Sequence, residues 1–451
     1  MQTPVVDAFA SLLRADPAAP VAWTATGTRD RQSLAAAADQ IGTLLAREPA
    51  GGRLALSIRD GFLFLAAVLA VWRHGSCVIL LDAADPRAPR KDLARELGAG
   101  ALLHLDSEWR FELLGAMAPA HDLAAIKLTS GSTGRPRGVG VGFAELIADA
   151  EALEHSMGIG AHDRVFAAVP MSFSYGVGSL LVPALWRGRE LVLPDPSHPL
   201  GLMQALRNGA PTVLPAVPAL LRALLGGAFE LPPSVRLVLS AGAALAPSVA
   251  AAFHRRFDRR VHAFYGATEA GGICYDRTGL AAERGTVGTP VEGVDVTLDT
   301  FGFVQVRSRA VGCALRPDPA LRDGTFTSAD LGQWCDGELQ LSGRAGEVFD
   351  VGGHKVHPRE VERVIARVPG VLDVVVVPWL DEQGRASCAA LVAAGVDEAA
   401  VRRHCVRELP AAKVPRCIVV VPELPRTSRG KLLQRDVERM LGIVRPGGLA
   451  T

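Results

Sequence analysis

The sequence predicts an α/β protein of more than one domain. It has a large N-terminal part of two sheet-and-helix subdomains with a small β-rich piece, then a small α+β unit at the C-terminus. Three observations carry this. The 451 residues exceed what a single core organises. Short β-branched apolar runs alternate with stretches of helical period, the rhythm of strands joined by covering helices. The texture changes near Arg284, where glycine and β-branched residues take over, and again near Leu341.

In chain order, "RLALSI" (53–58) reads as a strand. "GFLFLAAVLAVW" (61–72) reads as a core helix, too short to span a bilayer. "CVILL" (77–81) and "AAIKL" (124–128) are further strands. After the second, Phe143, Leu146, Ile147 and Ala150 fall at helical spacing. "RVFAAVP", "TVLPAVP" and "VRLVLSAG" are short buried strands closed by turn signals. "GTVGTPVEGVDVTLD" and "FGFVQVRS" form the β-rich piece. In the tail, "EVERVIARV" and "AAVRRHCVREL" are helices, and "VLDVVVVPW" and "CIVVVPEL" are strands. The alanine-rich patches read mostly as helix filler.

Apolar residues make up 49% and charged residues 21%, as in a globular protein. With 48 basic and 47 acidic residues the net charge is +1, which gives no footprint for nucleic acid or a membrane surface. Cys77, Cys274, Cys313, Cys335, Cys388, Cys405 and Cys417 form no C-x-x-C pair, so reduced thiols in a cytoplasm are expected rather than a disulfide framework. Asp7 interrupts the first residues before any apolar stretch, so no signal peptide is expected there.

The chemistry centres on "KLTSGSTGRPRGVG" (127–140). Glycines let backbone N–H groups approach an oxyanion, and Thr129, Ser130, Ser132 and Thr133 each bring a hydroxyl, with Arg137 adding charge. Gly131 and Gly134 are too close for the phosphate loop of P-loop NTPases, and no Lys-Ser or Lys-Thr follows. Four other stretches stand out: "FYGATEAGGI" (264–273), "SADLGQW" (328–334), "SGRAGEVFDVGGHKVHPREVE" (342–362) and "ELPRTSRGKLLQRDV" (423–437).

Together, in this order, these stretches resemble the motifs of the adenylate-forming superfamily of acyl- and aryl-CoA synthetases, peptide-synthetase adenylation domains and luciferases. The resemblance covers nearly the whole chain. It implies domains at 1–342 and 348–451, the second mobile, joined by a hinge at 343–347 that pivots on Gly346. It implies ATP and Mg²⁺, with the phosphates at Thr129, Ser130, Gly131, Ser132, Thr133, Gly134 and Arg137. Thr268 would hold the α-phosphate, and Glu269 the metal. Gly242, Ala243, Tyr265 and Gly266 would lie by the adenine. Asp330 would take both ribose hydroxyls, and Arg344 the ribose or phosphate. Lys431 would be the catalytic cation bridging carboxylate and α-phosphate, after which Gly352 and Gly353 would line a channel for the thiol of CoA or phosphopantetheine. Three positions depart from the family pattern: Arg137 replaces Lys, Ala329 replaces Gly, and Gly346 replaces a charged pivot.

The resemblance places Phe173, Ser174, Ala241 and Phe264 on the acyl pocket. Ser174 stands where amino-acid-activating relatives carry Asp, so a compact aromatic acid is expected ahead of a fatty acid. Expected partners are a small carboxylic acid and either CoA or a carrier protein. Two alternatives stay open, a non-catalytic acyl or nucleotide binder and an amino-acid-activating enzyme.

Overall fold

The computed structural model describes residues 3–46, 48–83, 90–105, 108–129, 137–195, 200–227, 229–322, 324–347, 349–351, 354–380, 385–426 and 432–443. Ser130, Gly131, Ser132, Thr133, Gly134, Gly352, Gly353 and Lys431 lie outside the described residues.

The first sheet has seven strands. Its parallel centre is Arg53–Ile58 between Cys77–Leu80 and Ala101–Leu105, with Ala125–Thr129 beyond Cys77–Leu80. Helix Gly61–Arg73 crosses between two of these strands. Its N-cap Asp60 accepts the N–H of Leu63 at 2.8 Å. Every side chain from Phe64 to Trp72 is buried, because the helix packs in a core shared with Leu54 and Leu56 of this sheet and Val165 and Leu239 of the next. A helix apolar on all faces needs such cover, and each large side chain so buried contributes about 1.5–3 kcal/mol. The indole N–H of Trp72 donates to Ala124 C=O at 2.9 Å, which ties the helix to the strand before the glycine-rich loop.

The second sheet has nine strands. Val213–Ala216, Leu237–Ser240 and Val261–Ala267 run parallel, and Gly271–Tyr275 returns antiparallel to the last. Helix Phe143–Met157 contributes Phe143, Leu146, Ala150 and Leu153 to the same core as Gly61–Arg73. A third, antiparallel sheet holds Phe303–Arg307, Thr325–Cys335 and Glu338–Arg344. Strand Glu338–Arg344 runs to Arg344, inside the segment expected as a hinge. The turn after it carries Gly346 at φ +82°, a backbone that side chains rarely adopt.

At the C-terminus Val371–Leu380, Ala386–Ala394 and Cys417–Val421 form a three-stranded sheet, with helices Pro358–Ala366 and Glu398–Glu408 sharing its core. The strand Ala386–Ala394 corrects the reading of alanine-rich stretches as helix. Seven of its nine residues are fully covered. Two core clusters draw on alternate residues of it, Cys388, Ala390 and Val392 in one, Ala389, Leu391 and Ala393 in the other. Between two packed faces, small side chains are what fits, and burial overrides alanine's helical preference.

This unit touches the rest of the chain at Asp373 and Val371. The Asp373 carboxylate, paired within the unit with Arg426 at 2.9 Å, meets Arg222 at 3.3 Å, and the Ser248 hydroxyl donates to Val371 C=O. No helix among the described residues is long and apolar enough to cross a membrane. All seven cysteines are free thiols.

Candidate active site

One large cavity, of about 2140 Å³, opens where the three N-terminal sheets and the C-terminal unit converge. Every described residue among those expected to bind nucleotide or acid lines it, as does Gly346.

Its polar end is built by strand pairing. Asp330 on Thr325–Cys335 lies opposite Arg344 on Glu338–Arg344, and Arg344 Nε stands 3.8 Å from Asp330 Oδ1. The Tyr265 hydroxyl, brought by strand Val261–Ala267, donates to Asp330 Oδ2 at 2.8 Å. The Ser328 hydroxyl donates to the same oxygen at 3.1 Å. Ser328 Oγ in turn accepts the N–H of Asp330 at 2.9 Å, so the carboxylate is held from two sides. Burial and the Asp330 charge push the Tyr265 phenol well above its usual range, so it serves as a donor. Ala329, where the family usually has glycine, also lines the cavity, and its C=O accepts from Ala345 N–H at 2.7 Å.

Thr268 and Glu269 sit in the turn between Val261–Ala267 and Gly271–Tyr275. The N–H of Gly312 donates to Glu269 C=O at 2.9 Å and fixes the turn. Burial pushes the Glu269 carboxyl up, while the charges of Lys127 and Arg344 oppose it. Among the described residues no group of three or more His, Cys, Asp or Glu side chains could hold a metal. A lone carboxylate in an open cavity fits Mg²⁺, which keeps several waters and completes its octahedron with substrate phosphates.

Thr129 ends one strand and Arg137 begins the next, directly opposite in register, so the two present the glycine-rich connection at the cavity's edge. Arg137 is mostly exposed, 3.6 Å from Asp318 Oδ2. Ala241, Gly242 and Ala243 follow strand Leu237–Ser240, with Gly242 at φ +82°. The apolar end carries Phe173 and Ser174 at the start of a short helix, and Phe264, 8% exposed, with its ring centre 5.4 Å from that of Tyr175.

Two residues went unnoticed in the sequence. Lys127, inside the apolar strand Ala125–Thr129, is 2% exposed. Asp149, on helix Phe143–Met157, is 6% exposed and lines the cavity. Each carried a signal. Lys127 interrupts a buried run, and Asp149 falls on the apolar face, three residues after Leu146 and four before Leu153.

Residues 104–300 match the AMP-binding enzyme family, and residues 360–431 match the AMP-binding enzyme C-terminal domain. A sulfoacetate–CoA ligase of Cupriavidus necator is 30% identical over 68% of this chain, and the match spans 65% of that enzyme's length, just under two thirds. A 3,4-dihydroxybenzoate–[aryl-carrier protein] ligase of Bacillus anthracis is 24% identical over 87% of this chain and 92% of its own. Among solved structures, an anthranilate CoA ligase in complex with anthranoyl-AMP superposes with a TM-score of 0.84, at 20% identity, over 97% of both chains, and so shares the fold. The ordered motifs, the three sheets around one cavity and these matches agree, and the chain belongs to the AMP-binding enzyme, or adenylate-forming, family.

Proposed function

We propose that this chain activates a small carboxylic acid, an aryl acid by preference, as its acyl-adenylate at the expense of ATP, and transfers the acyl group to a thiol of CoA or of a carrier protein's phosphopantetheine. The observation that carries the reading is the cavity itself. A fixed carboxylate for a ribose, a hydroxyl-bearing strand end for phosphates and an apolar aromatic wall for an acid open onto one space. The ligases of C. necator and B. anthracis, which use CoA and an aryl-carrier protein respectively, support both acceptors.

A free carboxylate has no leaving group that a thiol can displace, so activation must precede transfer. Asp330, with one oxygen already taken by Tyr265 and Ser328, offers the other to ribose hydroxyls. Arg344 stands beside it to meet negative charge. Thr129, Arg137 and the hydroxyls of 130–134 receive the outer phosphates, and Thr268 the inner one. Gly242, Ala243 and Gly266 flank the adenine. Glu269 would hold Mg²⁺, which when bound offsets phosphate charge. Phe173, Ser174, Ala241 and Phe264 orient the acid. Lys431 brings the cation that lets two anions meet, as the family resemblance implies. The domain of residues 348–451 pivots at Gly346 to bring Gly352 and Gly353 to the thiol, and charge loss at that pivot leaves the backbone freedom it needs.

The test is acid-dependent pyrophosphate exchange into ATP, run with aryl, fatty and amino acids. Aryl acids are expected to support it, and Lys431→Ala to reduce it at least about 100-fold, the scale of losing one transition-state charge contact. Exchange undiminished in Lys431→Ala with every acid contradicts the mechanism. Strong exchange with an α-amino acid replaces the substrate class.

A further inference from the structure

The apolar end of the cavity is not apolar throughout. Asp149 reaches its wall from the middle of helix Phe143–Met157. Its Oδ1 accepts the N–H of Gly272 at 2.9 Å. Glycines make the niche it occupies. A Cβ on Gly271 would lie 2.3 Å from Oδ1, and one on Gly178 would lie 2.5 Å from Oδ2. Leu153 and Phe264 pack against Gly272, and further buried polar atoms line the same cavity. The hydroxyls of Ser174 and Ser240 are buried and have no hydrogen-bond partner among the described residues, Ser240 being 2% exposed. Buried hydroxyls without partners are costly, and in a binding cavity they mark where a ligand's polar groups belong.

Lys127 is buried on strand Ala125–Thr129. Burial raises the Asp149 carboxyl and lowers the Lys127 ammonium, and the attraction between the two charges opposes both shifts. An ammonium entering here would bring a second cation to one carboxylate. A neutral hydroxyl or aryl amine brings a donor without a charge, and its lone pairs can take the serine hydroxyls.

We propose, resting on the ligase reading above, that Asp149 is a specificity residue that accepts a hydrogen bond from a neutral hydroxyl or amino substituent on the ring of the acid to be activated. Ser174 and Ser240, which line the same cavity, offer their unpartnered hydroxyls to the polar groups of that acid. A site built to bond such a donor rejects the analogue that lacks it, because the buried acceptor is then left without a partner.

The test compares isosteres. The ring isomers of hydroxybenzoate and aminobenzoate are set against the corresponding methylbenzoates and against 4-(aminomethyl)benzoate, as kcat/KM in pyrophosphate exchange and as Kd by calorimetry with ATP absent. In the wild-type protein at least one hydroxy or amino isomer is expected to exceed its methyl counterpart about 10- to 100-fold, the scale of a hydrogen bond to a charged acceptor. In Asp149→Asn that ratio is expected to fall toward about 1, a change that general loosening of the fold does not produce. A ratio unmoved in Asp149→Asn, or a wild-type preference for the methyl or aminomethyl acid, overturns the proposal. Should the variant not fold, the wild-type ranking decides. Should no acid support exchange, the ligase reading fails while the calorimetric ranking still decides the role of Asp149.

Discussion

Burial and the neighbouring Asp330 carboxylate keep Tyr265 protonated. The phenol is pushed well up by burial and by the adjoining carboxylate, so it donates its proton to Asp330 Oδ2 and leaves Oδ1, near Arg344, for the proposed ribose contact. Tyr265→Phe removes one hydrogen bond to a charged acceptor, about 1.5–3 kcal/mol when well buried. It is expected to raise the KM for ATP about 10-fold with little change in kcat, read from exchange kinetics. An unchanged KM for ATP would remove Asp330 from nucleotide binding. The sequence showed these residues through their motifs, yet it did not show that Tyr265 and Asp330, sixty-five positions apart, touch. Lys127 and Asp149 carried a signal in the sequence, but their surroundings did not show for the same reason. A buried charge becomes intelligible only once the fold supplies its partners.

Helix Pro358–Ala366 illustrates the scale of single elements. Val361 and Ile365 are buried, and between them Glu362 accepts the N–H of Val376 on strand Val371–Leu380 at 2.9 Å. Burial pushes its carboxyl from 4.5 up to about 7. The folded chain therefore holds that proton more tightly than the unfolded chain. The stability this adds is complete below 4.5, declines as pH rises, and is gone above about 7. Thermal unfolding of the wild-type protein between about pH 4.5 and 7 is expected to show a falling Tm relative to Glu362→Gln, which keeps the acceptor oxygen and cannot ionise. Parallel Tm curves would show that the carboxyl titrates normally. Most elements were legible because periodicity and burial agree, as in Gly61–Arg73. Ala386–Ala394 was not, because its composition points to helix while its position at the sheet centre, between two cores, makes it a strand.

At the scale of the molecule, three sheets and a C-terminal unit enclose a cavity to which no single element contributes a complete site. The edge proposed for the phosphates comes from the first sheet, the carboxylate proposed for the ribose from the third, the Thr268–Glu269 turn and Phe264 from the second. Asp373, paired with Arg426 inside the C-terminal unit, meets Arg222 of this assembly. The motifs named residues that line one cavity where described, while their convergence depends on packing among strands far apart in sequence. The most direct test of the account identifies the products formed from ATP, Mg²⁺ and a hydroxybenzoate in the absence of any thiol, by mass spectrometry and phosphorus NMR. The account predicts an aryl–AMP mixed anhydride and pyrophosphate, both dependent on the acid. ADP with orthophosphate, or no acid-dependent change in the nucleotide, would contradict it.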